Sequence, residues 1–192
     1  MEKKLVMELL GVENEDLAAE MAAQATSKKI AKHEVILKEG EVQTAIPFLV
    51  SGIYRGYYTN NRFREVTDCF VTTPGIAVVA PCELGAPSPI SIAAETKGEL
   101  FFVPLPLILE MGMRYQEVGQ MTVNIMMFCL KKHWEQKKAI TDLRSEERYA
   151  WFAEKYPGLI DQVNHSHIAQ FLNMTPETLS RVHRKRMEEE KA

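Results

Sequence analysis

The 192 residues carry a net charge of −3, with 46% hydrophobic and 26% charged side chains. That balance belongs to a globular chain of one large or two small domains. Three scattered cysteines (Cys69, Cys82, Cys129) without a CxxC pair exclude a disulfide framework and a zinc or iron–sulfur site, so neither metal nor cofactor is expected. No apolar run reaches the roughly 18 residues of a membrane span. The opening MEKKLVMELLGVENED has too short an apolar stretch for a secretory signal, so no membrane association and a cytoplasmic location are expected.

The first 30 residues have leucines and alanines at helical spacing and predict helix. From His33 to about Val103 the pattern changes. HEVIL, IPFLV, IYRGYY, EVTDCF, ISIAA and ELFFV are short runs rich in Val, Ile, Tyr and Phe, each stopped by turn residues. Such punctuation predicts an antiparallel barrel or sandwich, with Gly40, Gly52, Gly75 and Gly98 at turns that need positive φ.

After Pro106 no proline interrupts the stretch from Leu107 to Leu143, which predicts a long helix with two apolar stripes. Val118, Met121, Ile125 and Phe128 are spaced 3, 4, 3, the seam of a helix pair. Val123, Met127, Leu130 and Trp134 form a second stripe. One stripe serves the chain's own domain and the other is free for a partner; we assign the first to an isologous dimer. A helix buried wholly within its own domain is the plainer reading. Ser145-Glu146-Glu147 opens a further helix, with Ser145 as N-cap, and Pro157-Gly158 closes it.

Charge is unevenly placed: 12 Lys/Arg against 10 Asp/Glu from Lys131 onward, and 11 against 16 before it. Within the basic third lies VNHSHIAQFLNMTPETLSRVHRKR. Ile168, Ala169 and Leu172 make a short apolar helix face, and Asn173 tolerates the left-handed backbone of a tight turn. Thr175-Pro176 then marks a helix start, Thr as N-cap and Pro in the first position. Leu179 and Val182 face inward; Glu177, Ser180, Arg181 and Arg184 face outward. Two short helices with a polar, basic outer face on the second make a helix-turn-helix; charges that meet only water are the plainer reading. Arg181 suits guanine O6 and N7, Glu177 suits cytosine N4, and Thr175, Thr178 and Arg184 suit phosphates.

IAQFLNMTPETLSR resembles the C-terminal helix-turn-helix of the Crp/Fnr transcription regulators. KEGE with SGIYRGYYTN resembles their cyclic-nucleotide-binding-type jelly roll, and SEERYAWF the helix before the DNA-binding motif, so the likeness spans nearly the whole chain. It implies an α+β chain: an N-terminal antiparallel jelly-roll barrel with its helices (1–112), a dimerisation helix (113–143) and a helix-turn-helix domain (144–192). It implies no enzyme, but a homodimeric regulator of double-stranded DNA that reads a palindrome with a TGA…TCA-like core and has RNA polymerase as a further partner. Position by position, Glu177, Ser180 and Arg181 match base-reading residues, and Ser166, Thr175, Thr178, Arg184 and Lys185 serve as phosphate contacts. Pro176 stands where the cyclic-AMP branch has an arginine. After Arg186 only MEEEKA remains, too little for a β-wing.

Cyclic nucleotide binding in this family uses an arginine beside a Gly-Glu-Leu turn to pair with the cyclic phosphate. Cys82-Glu83-Leu84 echoes the turn, yet no arginine occurs between Arg64 and Arg114. The expected effector is therefore a small molecule other than cyclic AMP, held near Glu83, Leu84, Ser88 and Ser91. Cys82 as a redox thiol is a weaker reading. A cupin-like metal enzyme would need several barrel histidines, and this region has only His33. The remaining alternative is a degenerate barrel that works as a small-molecule-binding or protein-interaction module without DNA.

Overall fold

The structure, a computed structural model, describes residues 3–189. Helices α1 (Lys3–Leu10) and α2 (Glu15–Gln24) open the chain. Strands follow: β1 (Thr26–Ile30), β2 (Val35–Leu37), β3 (Ala45–Ser51), β4 (Tyr54–Thr59), β5 (Glu65–Val71), β6 (Ser91–Ala94) and β7 (Gly98–Pro104). The rest is helical: α3 (Leu105–Arg114), α4 (Gln116–Asp142), α5 (Ser145–Lys155), a 3-10 turn at Leu159–Asp161, α6 (His165–Phe171) and α7 (Pro176–Glu189).

The strands form two antiparallel sheets, β1-β7-β3 and β2-β6-β4-β5, and not the closed barrel expected. Closure would require the segment from Thr72 to Ile90 to pair continuously. Pro74, Pro81, Pro87 and Pro89 each lack the N–H a ladder needs. It forms no strand of its own: the stretch 75–78 hydrogen-bonds to Pro47 and Leu49 of β3 around an isolated bridge of Phe48 with Ala77, and Pro87 bridges Val42 in the loop before β3. The sheets share a filled apolar interior that includes Leu37, Leu49, Tyr54, Val78, Ile92 and Leu100.

Alternation along β7 sends Leu100 into that interior and Phe101 and Val103 to the opposite face. There α1, α2, α3 and the start of α4 cover them with Val6, Leu17, Met21, Leu107, Met111 and Val118. A third cluster joins α5, α6 and α7 through Tyr149, Phe152, Phe171, Leu179 and Val182, and takes in Phe70 of β5 and Ile53 of the turn before β4.

Four local expectations need correction. TSKKI is strand β1, not helix: four of its five residues are exposed on a sheet edge beside β7, so no apolar alternation marks it. The long helix breaks at Tyr115 (φ −121°, ψ 113°), and α4 starts at Gln116. The N-cap of α5 is Arg144, whose N–H donates to the Glu147 carboxylate at 2.8 Å, one residue before the Ser145 expected. Gly40, Gly52 and Gly75 have positive φ but Gly98 does not. It is needed for close approach instead, since a Cβ there would lie 2.3 Å from the Ser51 carbonyl oxygen.

Candidate nucleic-acid interface

The connection from α6 to α7 is built by local rules. Asn164 caps α6, accepting from the Ser166 N–H at 2.9 Å. Asn173 takes the left-handed conformation (φ +49°), and the Met174 N–H reaches back to the Ala169 carbonyl at 2.9 Å. Pro176 begins α7, and Thr175 Oγ1 accepts from the Thr178 N–H at 3.2 Å, an N-cap bond. Leu179 and Val182 are buried against α5 and α6.

Glu177, Ser180, Arg181 and Arg184 are exposed together on the other side of α7, at positions i, i+3, i+4 and i+7. Among the described residues neither Arg181 nor Arg184 forms an ion pair. The Glu177 carboxyl sits below its usual range because its own backbone N–H, then the Thr175 hydroxyl, bond to it.

The other candidates scatter. The Thr175 and Thr178 hydroxyls bond each other at 3.1 Å, and the Ser166 hydroxyl bonds Asn164 at 2.9 Å. Lys185 points toward α5, where Glu146 holds it at 3.0 Å and raises its pKa. It does not join the face of Arg181. The expectation that no β-wing follows Arg186 falls partly on residues 190–192, outside the described residues; as far as Glu189 the chain is still α7.

The expected dimer stripe is turned inward. Val118 is 1% exposed in the cluster beneath α1–α3, Met121 and Ile125 pack against that cluster, and Phe128 is half-buried. The open face of α4 carries Val123, Met126, Met127, Leu130 and Trp134. Both stripes have the right period, and only the position of α3 and the sheet decides which one the chain covers itself.

The expected effector residues lie in different settings. Ser88 is buried with its hydroxyl donated to the Ile90 carbonyl, and Ser91 Oγ accepts from the Glu39 N–H at 3.0 Å. Glu83 and Leu84 lie exposed in a loop.

One cluster escaped sequence reasoning. Arg55, on the outer face of β4, lies 2.9 Å from Glu65 on β5, 3.2 Å from Thr67 Oγ1 and 2.9 Å from Glu95 Oε1 just past β6. His167 Nδ1 of α6 reaches the same Glu95 oxygen at 2.8 Å, and Thr67 donates to Gln170 of α6 at 2.9 Å. Burial pushes the Glu95 carboxyl up, but His167 first, then the charges of Arg55 and His33, outweigh it and hold it below its usual range. The one signal in the sequence was an arginine set among the aromatics of IYRGYY.

No family model matches the sequence, and no curated protein matches it. Solved structures do match the fold. FixK2 from Bradyrhizobium japonicum superposes with a TM-score of 0.77 at 19% identity, over 86% of this chain and 85% of that one. A transcriptional regulator assigned to the Crp/Fnr family from Eubacterium rectale gives 0.70 at 16%, over 92% and 84%. The c-di-GMP-responsive global regulator CLP of Xanthomonas campestris gives 0.71 at 10%, over 92% and 93%. No helix among the described residues is long and apolar enough to cross a membrane. The chain has the fold of the Crp/Fnr transcription regulators.

Proposed function

We propose that this chain is a sequence-specific DNA-binding transcription regulator and not an enzyme. The observation that carries the reading is the outer face of α7. It holds two arginines that form no ion pair among the described residues, a glutamate and a serine on one side of a helix whose other side is buried. α6, its turn and α7 then act as a helix-turn-helix, with α7 in the major groove. Glu177, Ser180 and Arg181 read bases, and Arg184 anchors a phosphate. Thr175 and Thr178 add phosphate contacts if their mutual hydrogen bond opens.

The unit that binds is a homodimer joined through the outward stripe of α4, from Val123 to Trp134, in place of the inward one. A run of exposed apolar side chains on one helix marks an interaction surface, and a twofold mate covers it with its own copy. In chain order we divide the protein into an effector-sensing part (1–112), a dimerisation helix (113–143) and a DNA-binding part (144–192). The site is a palindrome with TGA…TCA-like half-sites about one helical turn apart, and RNA polymerase is the further partner. The effector is a small molecule other than a cyclic nucleotide, since the sequence holds no arginine between Arg64 and Arg114, around the Glu83-Leu84 turn.

Two variants test the base reading. Arg181→Ala should cost about 1–3 kcal/mol on the preferred duplex and relax preference at one guanine. Arg184→Ala should weaken binding to all duplexes alike and reduce the salt slope by about one. Equal losses on every duplex with no change in preference would remove Arg181 from the base-reading set.

A further inference from the structure

The outer face of the four-stranded sheet presents a preformed polar socket. Arg55, Thr67 and Glu95 are 4%, 3% and 3% exposed. Strand alternation explains the placement: Tyr54 faces the apolar interior, so Arg55 faces out, stacked 4.1 Å over the Tyr57 ring. Glu65 and Thr67 on the neighbouring strand hold the guanidinium without help from α6. Glu95 is pinned by its backbone, its N–H donating to the Ile53 carbonyl at 2.8 Å, while the Ile53 N–H donates to Thr96 Oγ1 at 3.0 Å.

Into this socket α6 projects His167 and Gln170, three residues apart and therefore on one helix face. Glu95 Oε1 lies 2.9 Å from Arg55 Nε and 2.8 Å from His167 Nδ1. One buried carboxylate oxygen is thus shared by a cation of the sheet and the imidazole of the helix. Such a group is costly when any partner leaves. The flanking apolar contacts, Ile53 and Phe70 with Phe171, tolerate sliding; the shared carboxylate does not.

We propose that Arg55, Glu95 and His167, with Thr67 and Gln170, form a clamp that fixes the orientation of the α6–α7 pair on the sheet and thereby the half-site spacing the protein accepts. These are positioning residues, and none of them touches DNA. The clause on spacing rests on the reading of α6–α7 as the DNA-reading unit; the clause on orientation does not. Because Glu95 follows β6 directly, a shift of that strand is transmitted to α6 through one oxygen.

The test uses the full chain and Glu95→Gln, which keeps shape and removes charge. A second variant, His167→Gln, makes the same cut from the helix side if the first fails to fold. Amide residual dipolar couplings from β4–β6 and from α6–α7 should fit one alignment tensor in the wild type. In the variants they should need two, with a smaller magnitude for α6–α7. On palindromes that differ only in half-site separation by single base pairs, the wild type should discriminate best from worst, and that ratio should fall about tenfold in the variants. Base preference at the guanine read by Arg181 should stay. A single tensor and unchanged spacing discrimination, even with a lower melting temperature, would overturn the clamp and leave an ordinary stabilising network. If the wild type prefers no duplex, the DNA reading fails, and the couplings alone decide the orientation.

Discussion

Both sheets are covered by helices, and the two coverings differ in kind. On the three-stranded sheet, Phe48, Phe101 and Val103 meet Val6, Leu17, Met21, Leu107 and Met111, an apolar contact throughout. On the four-stranded sheet, α6 meets an apolar edge of Ile53 and Phe70 beside a buried polar constellation of Arg55, Thr67 and Glu95. Apolar burial is strong and non-directional. A shared buried carboxylate adds little net stability, because desolvation offsets the attraction, but it penalises every misalignment. The first covering therefore holds the fold together and the second sets an angle. On the proposed DNA-reading role, a helix pair that must meet one groove of a duplex while its twofold mate meets the next needs the angle more than it needs the stability.

The apolar covering should show the largest loss. Phe101→Ala removes a ring with no exposed surface and should cost about 3–5 kcal/mol in denaturant unfolding, without altering how α6 sits. A loss below about 1 kcal/mol would mean that this face repacks freely and would blur the contrast.

The outward stripe of α4 extends the comparison to an apolar face that this chain leaves uncovered. Leu130→Glu should convert a dimer to monomers in sedimentation velocity at micromolar concentration while leaving the fold intact. Ile125→Glu, on the inward stripe, should instead lower the melting temperature of the protomer. A wild type that is already monomeric would show that the stripe has another use.

The smallest effect should appear in acid. The Glu95 carboxyl titrates below its ordinary value of 4.5 in the folded protein. Its contribution is thus complete above that ordinary value and is lost as pH falls through the lowered one. Melting curves of the wild type and Glu95→Gln should run parallel above about pH 5 and converge below about pH 4. Curves that stay parallel down to pH 3 would show that the carboxylate contributes nothing through its charge.

Much of this arrangement was legible in the sequence because it follows local rules. Asn173, Thr175 and Pro176 specify their turn and helix start by backbone preference alone, and Leu179 and Val182 by spacing. The six apolar runs located six strands, whereas TSKKI carries no period because its partner, β7, lies some 70 residues away and its own side chains face water. The stripes of α4 were both visible, but choosing between them required the position of α3. The clamp was invisible for the same reason: Arg55, Glu95 and His167 are brought together by topology, and no spacing in the chain records it.

The most direct measurement is a selection of bound sequences from random duplex DNA, using the full chain with and without cell extract. The account predicts enrichment of a palindrome with TGA…TCA-like half-sites about one helical turn apart, lost when Arg181 is replaced. Recovery of unenriched sequences under both conditions, with only salt-sensitive non-specific binding, would contradict it.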